Sequence, residues 1–166
     1  MDGVASTTWT RETPWRQGYV LPLAAIQALG LTHPDAPEVT CVVVTSHDCD
    51  LANDDLHVEP DVEVIIGCHP KKADGNYFWA KAPRTLHLET LRNGESAIIE
   101  LTATAKCLVP KSKLAAFIPD AQYSLSGKSL SVLRSWLAVR YNRAAFPDPF
   151  VRRLSQSRVD KGLAKL

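Results

Sequence analysis

Cys41-Val42-Val43-Val44-Thr45-Ser46-His47-Asp48-Cys49-Asp50-Leu51 is a β-branched apolar run that ends in a dense set of reactive side chains. A run of this kind reads as a buried strand. A strand ending in Ser, His, Asp, Cys and Asp is a good foundation for a site, because a rigid element holds functional groups more tightly than a loop does. If the strand persists to Asp50, its period-two alternation puts His47 and Cys49 on one face and Asp48 and Asp50 on the other. Half of the cluster then serves one site, and the rest caps the turn that follows.

Working outward, residues 1–14 read as a flexible lead-in ending at Pro14. Trp15 to Pro22 reads as a first strand, in which Gly18 marks a bulge or a close backbone approach. Leu23 to Leu31 is a short helix stopping at Gly30, and His33 to Val39 is a loop punctuated by Pro34 and Pro37. Beyond the acidic turn Asn53-Asp54-Asp55, Val58 to Gly67 alternates and then becomes continuously apolar, as a strand does on entering a sheet's centre. Tyr77 to Trp79 and Thr85 to Leu88 read as short strands flanking Pro83. Asn93-Gly94 is a hairpin turn into a strand over Ser96 to Leu101, with Thr102 to Leu108 continuing or pairing with it. Lys111 to Ile118 reads as a helical turn. Ser129 to Tyr141 is the clearest helix, with Leu130, Leu133, Leu137 and Tyr141 on one face and Trp136 beside them.

The 166 residues, 45% of them hydrophobic, support one packed core. This gives a single domain over 15–142 and a basic amphipathic extension over 143–166. Lys plus Arg total 19 against 18 for Asp plus Glu, so the overall balance excludes little. The distribution says more. Asp48 to Glu63 holds seven carboxylates and no Lys or Arg, whereas eight basic residues from Arg134 onward face only Asp148 and Asp160. No apolar run is long enough to span a membrane and no leader pattern opens the chain, so a soluble cytoplasmic protein with free thiols is expected.

The order of elements resembles the small SH3-like barrel of the MazF/PemK toxins over about residues 15–142. Arg16-Gln17-Gly18-Tyr19 stands where that family opens with an Arg-Gly-Asp-Ile type strand. Val42-Val43-Val44-Thr45-Ser46 is similar to its Val-rich second strand. Ser96 to Leu114 resembles the family's late apolar strand and following Lys-x-Arg-Leu. The family's Arg-Pro is replaced by Val39-Thr40-Cys41. The resemblance implies a mainly β (α+β) fold: an SH3-like β-barrel with a short helix near its amino terminus and a carboxyl-terminal helix packed on it. It also implies an endoribonuclease of toxin or phage-defence type, acting on nucleic acid, RNA rather than DNA, without a cofactor, with a homodimer as one assembly it permits.

Metal-independent RNA cleavage needs a base, an acid and a cation for the phosphate. His47, Asp48, Asp50, Arg84 and His87 are the candidates: the two histidines as base and acid, Arg84 as the phosphate clamp. Arg84 and His87 fall on opposite faces of a strand unless Pro83 leaves Arg84 in the preceding loop. Arg140, Arg143, Arg152 and Arg153, interleaved with aromatic residues, suit a nucleic-acid strand. The alternative is a non-enzymatic interaction domain with a structural His-Asp-Cys-Asp cluster and a basic tail that recruits a partner protein or nucleic acid. In that reading His47, Cys49, Cys68 and His69 are available to Zn²⁺. Asp48, Asp50, Glu59 and Glu63 also offer oxygen ligands to Mg²⁺, and Cys49 beside His47 offers a thiol nucleophile.

Overall fold

The computed structural model describes residues 8–141, with side chains through Val139. Six strands, β1 (Thr40–Val44), β2 (Asp61–Cys68), β3 (Thr85–Arg92), β4 (Glu95–Thr102), β5 (Lys106–Pro110) and β6 (Tyr123–Ser124), form one antiparallel sheet. Its order is β1-β2-β4-β3-β6, with β5 also paired to β2. Among the described residues four α-helices accompany it, α1 (Leu23–Ala28), α2 (Asp48–Ala52), α3 (Lys111–Leu114) and α4 (Gly127–Tyr141), with a 3-10 turn over Pro37–Val39. The mixed, strand-dominated α+β class is the one expected. The sheet does not close on itself, since its path runs from β1 to β6 without joining them.

The Val42-Val43-Val44 run is continuous because β1 is covered on both faces. Val42 and Val44 pack with Trp9, Trp15, Leu21 and Leu51, while Cys41 and Val43 pack with Leu86, Ile99, Leu133 and Trp136. A strand between two apolar layers has no polar face to alternate with. Each buried Val contributes about 1.5–3 kcal/mol relative to exposure.

β2 holds the sheet together by pairing with β1 along one edge and with both β4 and β5 along the other. Ala103 to Ala105 form an inserted step between β4 and β5, anchored where the Ile66 amide donates to the Ala105 carbonyl at 3.0 Å. Gly67 lies at this crossing. A Cβ there would run into the Glu100 carbonyl oxygen. At the hairpin, Asn93 (φ 52) and Gly94 (φ 81) supply the two positive φ angles that a tight two-residue connection requires.

Three sequence expectations change. Of the first strand, only Val20 forms a ladder bridge, with Val43. Gly18 is a close approach, its would-be Cβ only 3.1 Å from Leu125 and 3.2 Å from Leu130. Residues 77–79 do not form a strand: Trp79 and Ala80 take positive φ, and the loop folds back so that the His87 amide donates to the Tyr77 carbonyl. Finally, β1 stops at Val44 and the reactive cluster enters α2. Within the lead-in, Trp9 is buried and its indole N–H donates to the Leu51 carbonyl at 2.9 Å. The segments 1–7 and 142–166, with Arg143, Arg152 and Arg153, and the side chain of Arg140 lie outside the described residues.

Candidate functional site

The His47 to Asp50 cluster is a helix start. The exposed His47 accepts a hydrogen bond from the Cys49 amide through Nδ1 at 3.2 Å, as an N-cap does. The backbone then turns helically, so the strand alternation expected for His47, Asp48, Cys49 and Asp50 does not apply. Leu51 is carried into the core instead.

Asp48 ties three distant segments together. Its Oδ1 accepts from the Gln17 amide at 2.9 Å, and its Oδ2 faces the Arg134 guanidinium at 3.4 Å. Arg134 also donates to Gln17 Oε1 at 2.8 Å, and Gln17 Nε2 donates to the Thr45 carbonyl. The carbonyl of Asp50 accepts from the buried ammonium of Lys111 at 2.6 Å, which also donates to the Asn53 carbonyl at 2.9 Å. Lys111 therefore closes the carboxyl end of α2, where helix carbonyls lack internal partners.

Beside the turn is a cleft of about 360 Å³ whose walls include His47, Asp50, Glu59, Asp61 and Glu63. Glu63 is engaged: its Oε1 accepts from Thr45 Oγ1 and from the Lys106 ammonium, each at 2.8 Å. With Glu63 offset by Lys106, Asp50, Glu59 and Asp61 still leave the cleft acidic, and a phosphate is repelled there. His47 thus stands at an acidic surface.

His87 is elsewhere. It sits on β3, which β2 and β4 separate from β1 in the order of the sheet. The residue is 2% exposed. Its Nδ1 accepts from the Asp74 amide at 3.2 Å, which leaves Nε2–H to donate to Glu100 at 2.8 Å. The rings of Tyr77 and Phe78 stand edge-on to it, 5.1 and 5.4 Å away. Arg84 is exposed in the loop before β3. The five residues proposed from sequence for one catalytic cleft thus split: His47, Asp48 and Asp50 belong to the α2 turn, Arg84 to the β2–β3 loop and His87 to β3.

The zinc set is not assembled. Among the described residues no three His, Cys, Asp or Glu side chains are grouped so as to hold a metal ion. His69 is occupied at both nitrogens, by the Ile98 carbonyl at 2.9 Å and the Tyr123 hydroxyl at 2.8 Å. Cys68 is buried on β2 while Cys49 is exposed on α2.

Two features escaped the sequence reading. The buried Cys41 and the half-buried Tyr123 and His69 form a polar chain at the gap between the sheet's two ends. Burial pushes the Cys41 thiol up to about 12, against the opposing effects of its hydrogen bond to Tyr123 and of Arg92. Burial likewise raises the Tyr123 phenol, with Cys41 adding to it. Together with Val20, Thr40 and Arg92 these three residues line a cavity of about 200 Å³. No residue spacing connects Cys41 to Tyr123, so no local signal announced this chain.

The other feature is the loop from His69 to Arg84. Lys71, Lys72, Lys81 and Arg84 are all exposed there, against the single carboxylate of Asp74. Trp79, 45% exposed, projects from it. Lys128, at the start of α4, places its ammonium 4.2 Å from the indole centroid. Basic residues interleaved with Tyr77, Phe78 and Trp79 were the available sequence signal.

No family model, curated protein or solved structure matches the chain. No described helix is long and apolar enough to cross a membrane.

Proposed function

We propose that the chain is a nucleic-acid-directed binding domain on a small SH3-like barrel, similar in fold to the MazF/PemK toxins, with the His47–Asp50 turn as scaffold. The observation that carries this reading is the separation of charge along β2. The acidic cleft lies at its Asp61 end and the basic loop follows its Cys68 end, roughly 23 Å away for a strand of this length. A polyanion is repelled from one end and attracted to the other. The barrel reading draws support from the Val20 carbonyl, which accepts from the Asp120 amide at 2.9 Å and so bridges the two ends of the open sheet.

Strand cleavage has less support than binding. His47 lies against carboxylates and His87 is enclosed, so no described base and acid flank one phosphate position. RNA is the preferred ligand on the strength of the family resemblance. The test is anisotropy with a labelled RNA of about 12 nucleotides across a salt series beginning near 50 mM. Binding should weaken linearly on logarithmic axes, and replacing Lys71, Lys72 and Lys81 by Glu should abolish it while His47→Ala leaves it intact. Absence of binding at low salt, or loss with His47→Ala but not with the triple variant, would overturn the proposal.

A further inference from the structure

We infer that Trp79 is a stacking platform for an unpaired base, making the β2–β3 loop selective for single-stranded over duplex nucleic acid. This rests on the proposed nucleic-acid reading and adds the form of ligand that the loop accepts.

The indole is held outward by backbone conformation. Trp79 has φ 61 and the following Ala80 has φ 58, a left-handed pair that neither side chain favours. Such a pair persists only where the surroundings fix it. Here both flanks are pinned. The His87 amide donates to the Tyr77 carbonyl at 2.9 Å, the Asp74 amide donates to His87 Nδ1, and the Trp136 indole N–H donates to the Ala82 carbonyl at 3.0 Å. His87, held by Glu100 beneath the loop, is thus a positioning residue.

The exposed ring already binds a cation on one face. Lys128 sits 4.2 Å from its centroid, the arrangement in which a ring's negative face attracts an ammonium. A nucleobase takes the same face by π-stacking, and the displaced ammonium stays close enough to meet the flanking phosphate. Lys81 and Arg84 supply further cations from the same loop. Bases in a duplex are stacked on each other and present no free face, so phosphate contacts alone would treat the two forms alike.

The protein provides its own reporter. The other three tryptophans, Trp9, Trp15 and Trp136, are at most 4% exposed, which leaves Trp79 as the indole a ligand can reach. Titrating the full chain with oligouridylate RNA should quench its fluorescence, whereas an RNA duplex of matched charge should not. Trp79→Ala should weaken single-strand binding about 5- to 150-fold, the range for loss of one base–aromatic stack, while Trp79→Phe retains most of the affinity. Equal quenching by duplex, or a Trp79→Ala affinity within about twofold of wild type, overturns this inference and leaves nucleic-acid binding standing. If the unaltered protein binds neither RNA, the underlying reading fails and this one with it.

Discussion

Lys111→Met asks whether the His47–Asp50 turn is scaffold. The lysine side chain is fully buried. Its ammonium donates to the carbonyls of Asp50 at 2.6 Å and Asn53 at 2.9 Å and lies 5.6 Å from the Trp9 ring centroid. Each hydrogen bond from a charged donor contributes about 1.5–3 kcal/mol. Against this stands the cost of burying the ammonium, which lowers its pKa from the ordinary 10.5, with Glu59 and then Asp50, Asp54 and Asp61 opposing that shift. For a lowered base the unfolded chain holds more protons between the two pKa values, so stability rises with pH only in that alkaline window; below it the burial cost is constant. Measurement near neutral pH therefore reads the bonds net of that cost. Methionine fills similar volume without a charge, so the net loss should be about 3 kcal/mol. At about 2–4 °C per kcal/mol for a chain of this size, Tm should fall by about 6–12 °C. Urea unfolding followed by far-ultraviolet circular dichroism gives the free energy, and Lys113→Met, at an exposed neighbour, should change it by less than about 0.5 kcal/mol. Equal behaviour of the two variants would refute the argument that Lys111 anchors α2.

Gly67→Ala should destabilise by about 3 kcal/mol or more, because its Cβ meets the Glu100 carbonyl oxygen and lies 2.8 Å from Leu101 Cδ2; a thermal melt showing no loss would contradict the tight crossing of β2 and β4. Thiol titration of the native protein near pH 8 should find one fast cysteine, the exposed Cys49, with Cys41 at least about 1,000-fold slower because burial leaves it almost no thiolate. The raised Cys41 pKa also sets a pH dependence: below its ordinary value of 9.0 the thiol is protonated in both states, and as pH rises toward about 12 only the unfolded chain loses the proton. Stability should therefore fall above pH 9, and Cys41→Ala should flatten that fall; an unchanged slope would place the titration elsewhere.

The elements that could be read from sequence are those whose signal is local. β1 is a β-branched run, Asn93-Gly94 a two-residue turn, and α4 an apolar stripe, and each appears where its pattern predicted. α2 was hidden because histidine is not among the usual helix-capping residues, so His-Asp-Cys-Asp read as the strand's continuation. Its other supports, Trp9 and Lys111, are 42 and 61 residues away from their partners, and no window of sequence joins them. Tyr77-Phe78-Trp79 misled in the opposite way. Three aromatics have high strand propensity, but His87 captures the backbone at Tyr77 and the chain turns through two positive φ angles. A residue expected to perform acid–base chemistry is thereby the anchor that shapes the loop.

The formal charge of +1 conceals an asymmetry that bears on the order of binding events. Two surfaces of opposite sign at the ends of one rigid strand make an oriented field, which under the proposed nucleic-acid function a polyanion would feel before any contact forms. On that reading the acidic cleft matters to binding without touching the ligand, since it repels the phosphates and slows encounter. The effect operates over about a Debye length and fades with salt, whereas the proposed stacking on Trp79 is short-range and much less sensitive. Neutralising the cleft by Glu59→Gln and Asp61→Asn should therefore raise the association rate at low salt and leave the dissociation rate nearly unchanged, whereas Trp79→Ala should change mainly the dissociation rate. Stopped-flow kinetics separates the two, and a cleft variant that changed only dissociation would mean that the acidic end contacts the ligand directly.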